Sequence, residues 1–217
     1  MIAATSVHPD LVLYYAVATL VALVVHEFAH AFVATRLGDT TPRAMGRLTL
    51  NPKAHADPFG TYVLPAILLL IVFFAGSSYL VFAYAKPMPL NPWNARRASR
   101  DMVVIQAAGP VTNLLLAFAF ALVFSAVGCP ASALGDFLLV MVLTNAAFVA
   151  IHLIPIPPLD AARAITPFLS YRARDFFVNM EQYAALIMLL VFFILGGFFG
   201  GLVGSMRDGI FRLVTHC

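Results

Sequence analysis

Predominantly apolar residues run over about 11–37, 61–85, 102–127, 134–154 and 183–204. At about 1.5 Å of rise per residue, each run is long enough to cross the roughly 30 Å hydrocarbon layer of a membrane as a helix. Between the first two runs the pattern changes. Thr41, Arg43, Arg47 and Thr49 alternate with Ala44, Gly46, Leu48 and Leu50. That period of two predicts a short β-hairpin after the first helix, with one wet face. Asn51-Pro52 and Asp57-Pro58 then mark turns. Pro65 and the Gly76-Ser77-Ser78 break interrupt the second run, so residues 61–85 read as a candidate re-entrant segment.

Composition agrees with the pattern. Of 217 residues, 62% are hydrophobic and 11% charged, and the mean hydropathy is +0.92. The expected fold class is an all-α polytopic membrane protein with about four to six membrane-embedded segments. No polar linker, low-complexity run or solenoid repeat divides the chain, so residues 1–217 are read as a single domain. The net charge of +3 does not imply nucleic-acid binding, because the basic residues flank apolar spans and form no patch. The first ten residues contain no Lys or Arg, so a cleaved signal peptide is not expected. Cys129 and Cys217 are too few for a disulfide framework or a cysteine metal site, and a bond between them would need an oxidising side of the membrane.

Basic residues orient the chain. Arg36, Arg43, Arg47 and Lys53 lie between the first and second runs, and Lys86, Arg96, Arg97 and Arg100 between the second and third. Arg163, Arg172 and Arg174 follow the fourth run, and Arg207 and Arg212 lie in the tail. If every run crossed, the two richest loops would fall on opposite sides, against the positive-inside rule. If 61–85 enters and leaves on one side, all the positives outside the tail become cytoplasmic.

The candidate chemistry lies within the first run. His26-Glu27-Phe28-Ala29-His30 is an HExxH motif, and Glu27 is one of only two glutamates in the chain. Ionisable groups at membrane depth cost roughly 2.5–3.5 kcal/mol each on insertion scales, so they default to a functional reading. Residues four apart share a helix face, so His26 and His30 can aim their imidazoles at one ion. Zinc accepts neutral imidazole, and Glu27 beside the first ligand can act on a water as general base. The alternative is a chance motif, with both histidines bonded to neighbours.

A catalytic zinc site needs a third nitrogen or oxygen ligand at the same depth. The candidates are His8, His55, His152, Asp160 and His216. His152-Leu153-Ile154-Pro155-Ile156-Pro157-Pro158-Leu159-Asp160 stands out, because three prolines in four positions prevent continuous helix. Unwound backbone near membrane depth is tolerated where it lines a cavity, into which Asp160 can be aimed. With 61–85 re-entrant, the first and fourth runs point the same way, and Asp160 meets His26 and His30 near the cytoplasmic side. With every run spanning, they end on opposite sides. The competing role for Asp160 is an N-cap for a helix starting at Ala161.

The ordered motifs, over roughly residues 20–165, resemble the site-2 protease family of zinc-dependent intramembrane metalloproteases. HEFAH at 26–30 is followed by Gly46-Arg47-Leu48-Thr49-Leu50-Asn51-Pro52 and His55-Ala56-Asp57-Pro58-Phe59-Gly60-Thr61. Lys86-Pro87-Met88-Pro89-Leu90-Asn91-Pro92, Ala108-Gly109-Pro110-Val111-Thr112-Asn113 and Pro155-Ile156-Pro157-Pro158-Leu159-Asp160 come next. Together they are similar to the compact bacterial branch without PDZ-like or CBS domains. The resemblance implies that His26, His30 and Asp160 ligate one zinc ion per chain and that Glu27 activates water. It also implies hydrolysis of a peptide bond within or beside a transmembrane helix of a membrane-tethered substrate, in a bacterial inner or plasma membrane.

Two positions depart from the family pattern. His152 stands where Asn is common eight residues before the aspartate, and Ala161 where Gly is common after it. His152 is therefore a candidate for substrate or oxyanion contact, for an extra metal ligand, or for a bonded cavity residue. Asn113 and His55 are further candidates for substrate contact. An interhelical hydrogen bond is the competing role for Asn113, as for Asn145, and a turn bond to Asp57 for His55. The 41–50 segment could pair with an unwound substrate by β-addition, or serve as a simple lid. Gly196, Gly200 and Gly204 form a small-residue stripe suited to helix packing within the chain or in a homo-oligomer. The rival readings are a catalytically silent zinc-binding scaffold, against which an intact Glu27 argues, and a metal-ion permease. A permease would spread polar residues along a path, whereas here they cluster at one depth.

Overall fold

The structure, a computed structural model, describes residues 9–75, 83–91, 94 and 98–214. Its long helices are α1 (Pro9–Leu37), α5 (Ala98–Ala126), α6 (Ala133–His152) and α9 (Ala184–Val214). All four are long and apolar enough to cross a membrane. Shorter helices α2 (Thr41–Ala44), α3 (Pro52–His55) and α4 (Leu64–Ala75) follow α1, with a wide helical turn at Pro58–Val63 leading into α4. Helices α7 (Asp160–Ile165) and α8 (Tyr171–Met180) connect α6 to α9. The chain is a multi-pass, all-α membrane protein.

Contacts set the relative directions. Ala18 packs with Val140 and Met141, and Ala22 and Leu23 with Phe148, so α1 and α6 run parallel. Asn113 of α5 bonds to Ala22 and His26, and Ile105 to His30, so α5 runs opposite to α1. Met188 of α9 packs with Ile151 near the end of α6, and Ile210 with Val142, so α9 runs opposite to α6. Residues 38–97 and 153–183 therefore connect the helices at one end of the bundle. Most of α6 is buried, whereas Leu13, Leu115, Leu122, Phe193, Ile194 and Phe198 stay exposed on the other long helices. Such an apolar exterior fits a lipid surround.

The second apolar run begins and ends on the same side of the bundle. The Tyr84 amide donates to the Gly60 carbonyl, and the Lys86 amide to the His55 carbonyl. The chain entering α4 and the chain returning from it thus lie side by side. Leu64 and Leu68 of α4 are fully buried in one cluster with Ala146, Ala147, Ala150 and Ile151 of α6 and with α9, so protein covers one face of the start of α4. The return packs so closely that a Cβ at Gly60 would overlap the Tyr84 ring.

The expected β-hairpin over 41–50 is not formed, and the described residues contain no strand. Pro42 sits in the first turn of α2, where its missing N–H costs nothing. Gly46 takes a left-handed φ of 70° that breaks the extended run. Arg47, assigned to the wet face, is buried, and its Nη2 donates to the Pro87 carbonyl. Alternation alone makes no sheet when no neighbouring strand supplies a ladder, so the β-addition edge proposed for substrate is absent here too. The glycine stripe on α9 has no close partner among the described residues: a Cβ at Gly196, Gly200 or Gly204 would meet nothing within 4 Å. His8, His216, Cys217, Arg96, Arg97, Pro92 and Gly76-Ser77-Ser78 lie outside the described residues.

Asp39 ties the end of α1 to the return segment. Its Oδ1 accepts from the Thr41 amide at 3.0 Å and from Asn94 Nδ2 at 3.2 Å, and its Oδ2 accepts from the Asn91 amide at 2.7 Å. Burial pushes the Asp39 carboxyl up, but these hydrogen bonds outweigh it and hold the group below its ordinary value. A depressed carboxyl stabilises the fold above its unfolded pKa of about 3.9, and loses that contribution as pH falls through the folded value. Asp39→Asn should therefore lower stability in detergent near neutral pH by about 1.5–3 kcal/mol, the range for a bond to a charged group. Thermal unfolding across pH should also show a shallower acid limb in the variant.

Candidate metal centre

His26 and His30 lie on α1 roughly 10–17 Å from its C-terminal end, at about 1.5 Å per residue. The packing of α1 between α5 and α6 buries both rings. Their Nε2 atoms are 3.0 Å apart. Asp160 Oδ2 lies 3.0 Å from the Nε2 of His26 and 3.3 Å from that of His30. Asp160 is the first residue of α7. Leu159 occupies the cap position without a side-chain cap bond, so the carboxylate is aimed at the histidines and does not cap its helix.

Hydrogen bonds on the far side of each ring decide what this cluster is. Asn113 Nδ2 donates to the Ala22 carbonyl at 3.2 Å and to Asn145 Oδ1 at 2.9 Å, and Asn145 Nδ2 donates in turn to the Met141 carbonyl. That chain of bonds leaves Asn113 Oδ1 facing His26 Nδ1 at 2.6 Å, so Nδ1 must carry the proton and donate. His30 Nδ1 likewise donates to the Ile105 carbonyl at 2.7 Å. In their neutral form both rings then present bare Nε2 lone pairs to each other and to a carboxylate oxygen. Three acceptors at about van der Waals contact, buried in protein, repel unless a cation sits among them.

The donor set fits a zinc ion. Tetrahedral bonds of about 2.0–2.1 Å to nitrogen or oxygen imply donor separations of about 3.3–3.4 Å. The observed 3.0, 3.0 and 3.3 Å approach that triangle. Orientation of each imidazole by a hydrogen bond at its other nitrogen is the usual outer arrangement of metal-binding histidine. Gly109 walls the cluster from α5. A Cβ there would stand 2.5 Å from the Nε2 atoms of both His26 and His30. Only glycine leaves that space.

Glu27 also belongs to the group, its carboxylate within 4.8 Å of the donor atoms of His26 and His30. Its Oε2 is buried and has no hydrogen-bond partner among the described residues. His152, the last residue of α6, turns Nδ1 to within 2.9 Å of Asp160 Oδ2. The other two candidates lie elsewhere. Asn113 is fully buried behind His26, with its amide engaged between helices. His55 is buried in the segment after α1, where its Nε2 donates to the Thr49 carbonyl at 2.8 Å. Asp57 instead accepts from the amides of Phe59 and Gly60. Sequence reasoning missed Gly109 and the Ile105 carbonyl. A glycine one turn ahead of Asn113, inside a long apolar helix, was the available signal for the first.

A cavity of about 450 Å³ lies at the connecting end of the bundle, and the cluster residues themselves do not line it. Pro157 and Ala162, on either side of Asp160, line it together with Gln106, Met88, Met102 and Phe177. Arg163 closes one wall through a two-pronged ion pair to Glu181, at 2.9 and 3.0 Å. This pair ties α7 to the turn entering α9, and accounts for the chain's second glutamate.

A buried two-histidine, one-carboxylate cluster with a neighbouring glutamate, inside a bundle of membrane-crossing helices, defines the class of membrane-embedded metalloproteases. The chain belongs to peptidase family M50, the site-2 protease family, whose model matches residues 14–132. It is 33% identical over 93% of its length to YwhC of Bacillus subtilis (strain 168), covering 91% of that protein. It is 32% identical over 87% of its length to Rip2 of Mycobacterium tuberculosis (strain ATCC 25618 / H37Rv), covering 71% of it. Both names carry the words zinc metalloprotease. No solved structure is a significant match.

Gly109→Ala should push both imidazoles off their common point and lower zinc affinity by about 10–100-fold, the range for a disturbed outer shell. Zinc retention after dialysis against graded chelator measures the change. Unaltered helicity by circular dichroism would assign the loss to the centre.

Proposed function

We propose that the chain is a single-domain, zinc-dependent intramembrane endopeptidase. In this reading His26, His30 and Asp160 hold one zinc ion per chain, and Glu27 is the general base. The observation that carries it is the convergence of three buried acceptors beside a glutamate whose Oε2 has no partner among the described residues. Zinc, when bound, supplies a Lewis acid for the scissile carbonyl and brings a water within reach of deprotonation near neutral pH. Glu27 takes a proton from the attacking water as its oxygen bonds to the carbonyl carbon. It returns that proton to the leaving nitrogen as the C–N bond breaks. Asn113 and the Ile105 carbonyl keep the two imidazoles in the donor tautomer throughout.

The substrate is a membrane protein whose transmembrane helix is locally unwound, since a helical backbone hides its carbonyls. The cavity at the connecting end of the bundle, about 450 Å³, mostly apolar and lined by Pro157 and Ala162, supports entry of such a segment from that end. That end also carries Arg36, Arg43, Arg47, Lys53, Lys86, Arg100, Arg163, Arg172 and Arg174 among the described residues. Arg207 and Arg212 lie near the far end of α9. By the positive-inside rule the centre faces the cytoplasm, in a bacterial plasma or inner membrane.

Glu27→Gln should keep its zinc while cleavage of a model transmembrane substrate falls by at least about 10²-fold. Metal analysis of the purified variant alongside the cleavage assay checks both halves. Undiminished proteolysis would sink the assignment, and zinc without any Glu27-dependent cleavage would favour a silent scaffold.

A further inference from the structure

We propose that His152 is a fourth protein ligand, so that three imidazoles and one carboxylate close the resting centre of this chain. The inference rests on the metal-binding reading given above. In a tetrahedron each corner is equally distant from the other three. Asp160 Oδ2 meets that condition: it lies 2.9 Å from His152 Nδ1, 3.0 Å from His26 Nε2 and 3.3 Å from His30 Nε2. The His26–His30 edge is 3.0 Å. Four of the six edges are thus within about half an ångström of those that bonds of about 2.0–2.1 Å imply.

A hydrogen bond from His152 to Asp160 would explain one of these distances by itself. It would not require the His152 ring to lie against His26 as well. The two ring centroids are 4.3 Å apart, and the donor atoms of His26, His152 and Asp160 all fall within 4.8 Å of one another. The ring is also held in place. One turn back on α6, Phe148 stacks on it at 5.9 Å and 10° between planes, which keeps Nδ1 turned inward.

Among the imidazoles His152 is the one with a way out. Its side chain is 11% exposed, against 0% for His26 and 3% for His30. The backbone after it leaves the helix at Leu153 and continues irregularly to Asp160. As the fourth ligand, His152 takes the coordination position that a catalytic zinc centre otherwise leaves to water.

Zinc K-edge X-ray absorption on the full chain, zinc-loaded in lipid nanodiscs, counts imidazoles directly. The expected result is three imidazoles and one oxygen donor in the wild type, with one imidazole lost in His152→Asn. Two imidazoles in the wild type, unchanged in His152→Asn, would overturn the fourth ligand and leave the endopeptidase reading intact. Zinc bound without imidazole, or no zinc bound, would overturn both. The wild-type spectrum decides the matter even where the variant fails to fold.

Discussion

Three lone pairs facing one another in the interior of a helical bundle are the constraint on which the rest of this molecule depends. His26 Nε2, His30 Nε2 and Asp160 Oδ2 stand 3.0–3.3 Å apart, and with each ring neutral and donating through Nδ1 no proton lies between them. Such an arrangement calls for a cation, because its burial in protein leaves little solvent to screen it. Every neighbouring feature either holds the three atoms together or prevents their relaxation. The Asn113–Asn145 chain locks one ring, the Ile105 carbonyl locks the other, and the missing side chain of Gly109 lets α5 approach closely enough to supply both bonds.

The directions of the helices follow from bringing a residue near the end of α1 together with one just beyond α6. Both helices must run the same way, which α5 permits by returning the chain across the bundle between them. The second apolar run must then go in and out at one end, and the Gly60–Tyr84 and His55–Lys86 backbone bonds close that excursion. Leu64 and Leu68 anchor the start of α4 against α6 and α9. The connecting segments gather at the end nearest the centre. There the Asp39 clamp and the Arg163–Glu181 pair fix the loops that border the cavity.

Much of this was legible in the chain. The helical spacing of His26 and His30, the proline-broken approach to Asp160 and the distribution of basic residues pointed to one arrangement of spans, because each is a local or compositional property. The reading of 41–50 as a hairpin failed for a physical reason. Alternation states which residues differ in polarity, but a strand also needs a partner, and here Arg47 turns inward to the Pro87 carbonyl. Likewise Asn113 looked equally suited to substrate or to a neighbouring helix. The side facing His26 was settled by Asn145, thirty-two residues away.

The sequence by itself determined that the chain is a membrane protein and that two imidazoles and a glutamate share one helix. These depend on hydrophobic length, charge and a 3.6-residue period, all of which act along the chain. Only the tertiary structure decided the tautomer of each ring, the need for glycine at 109, and the approach of His152 to Asp160. Those depend on contacts between residues up to 91 positions apart, which close packing and hydrogen-bond geometry fix and no local pattern encodes.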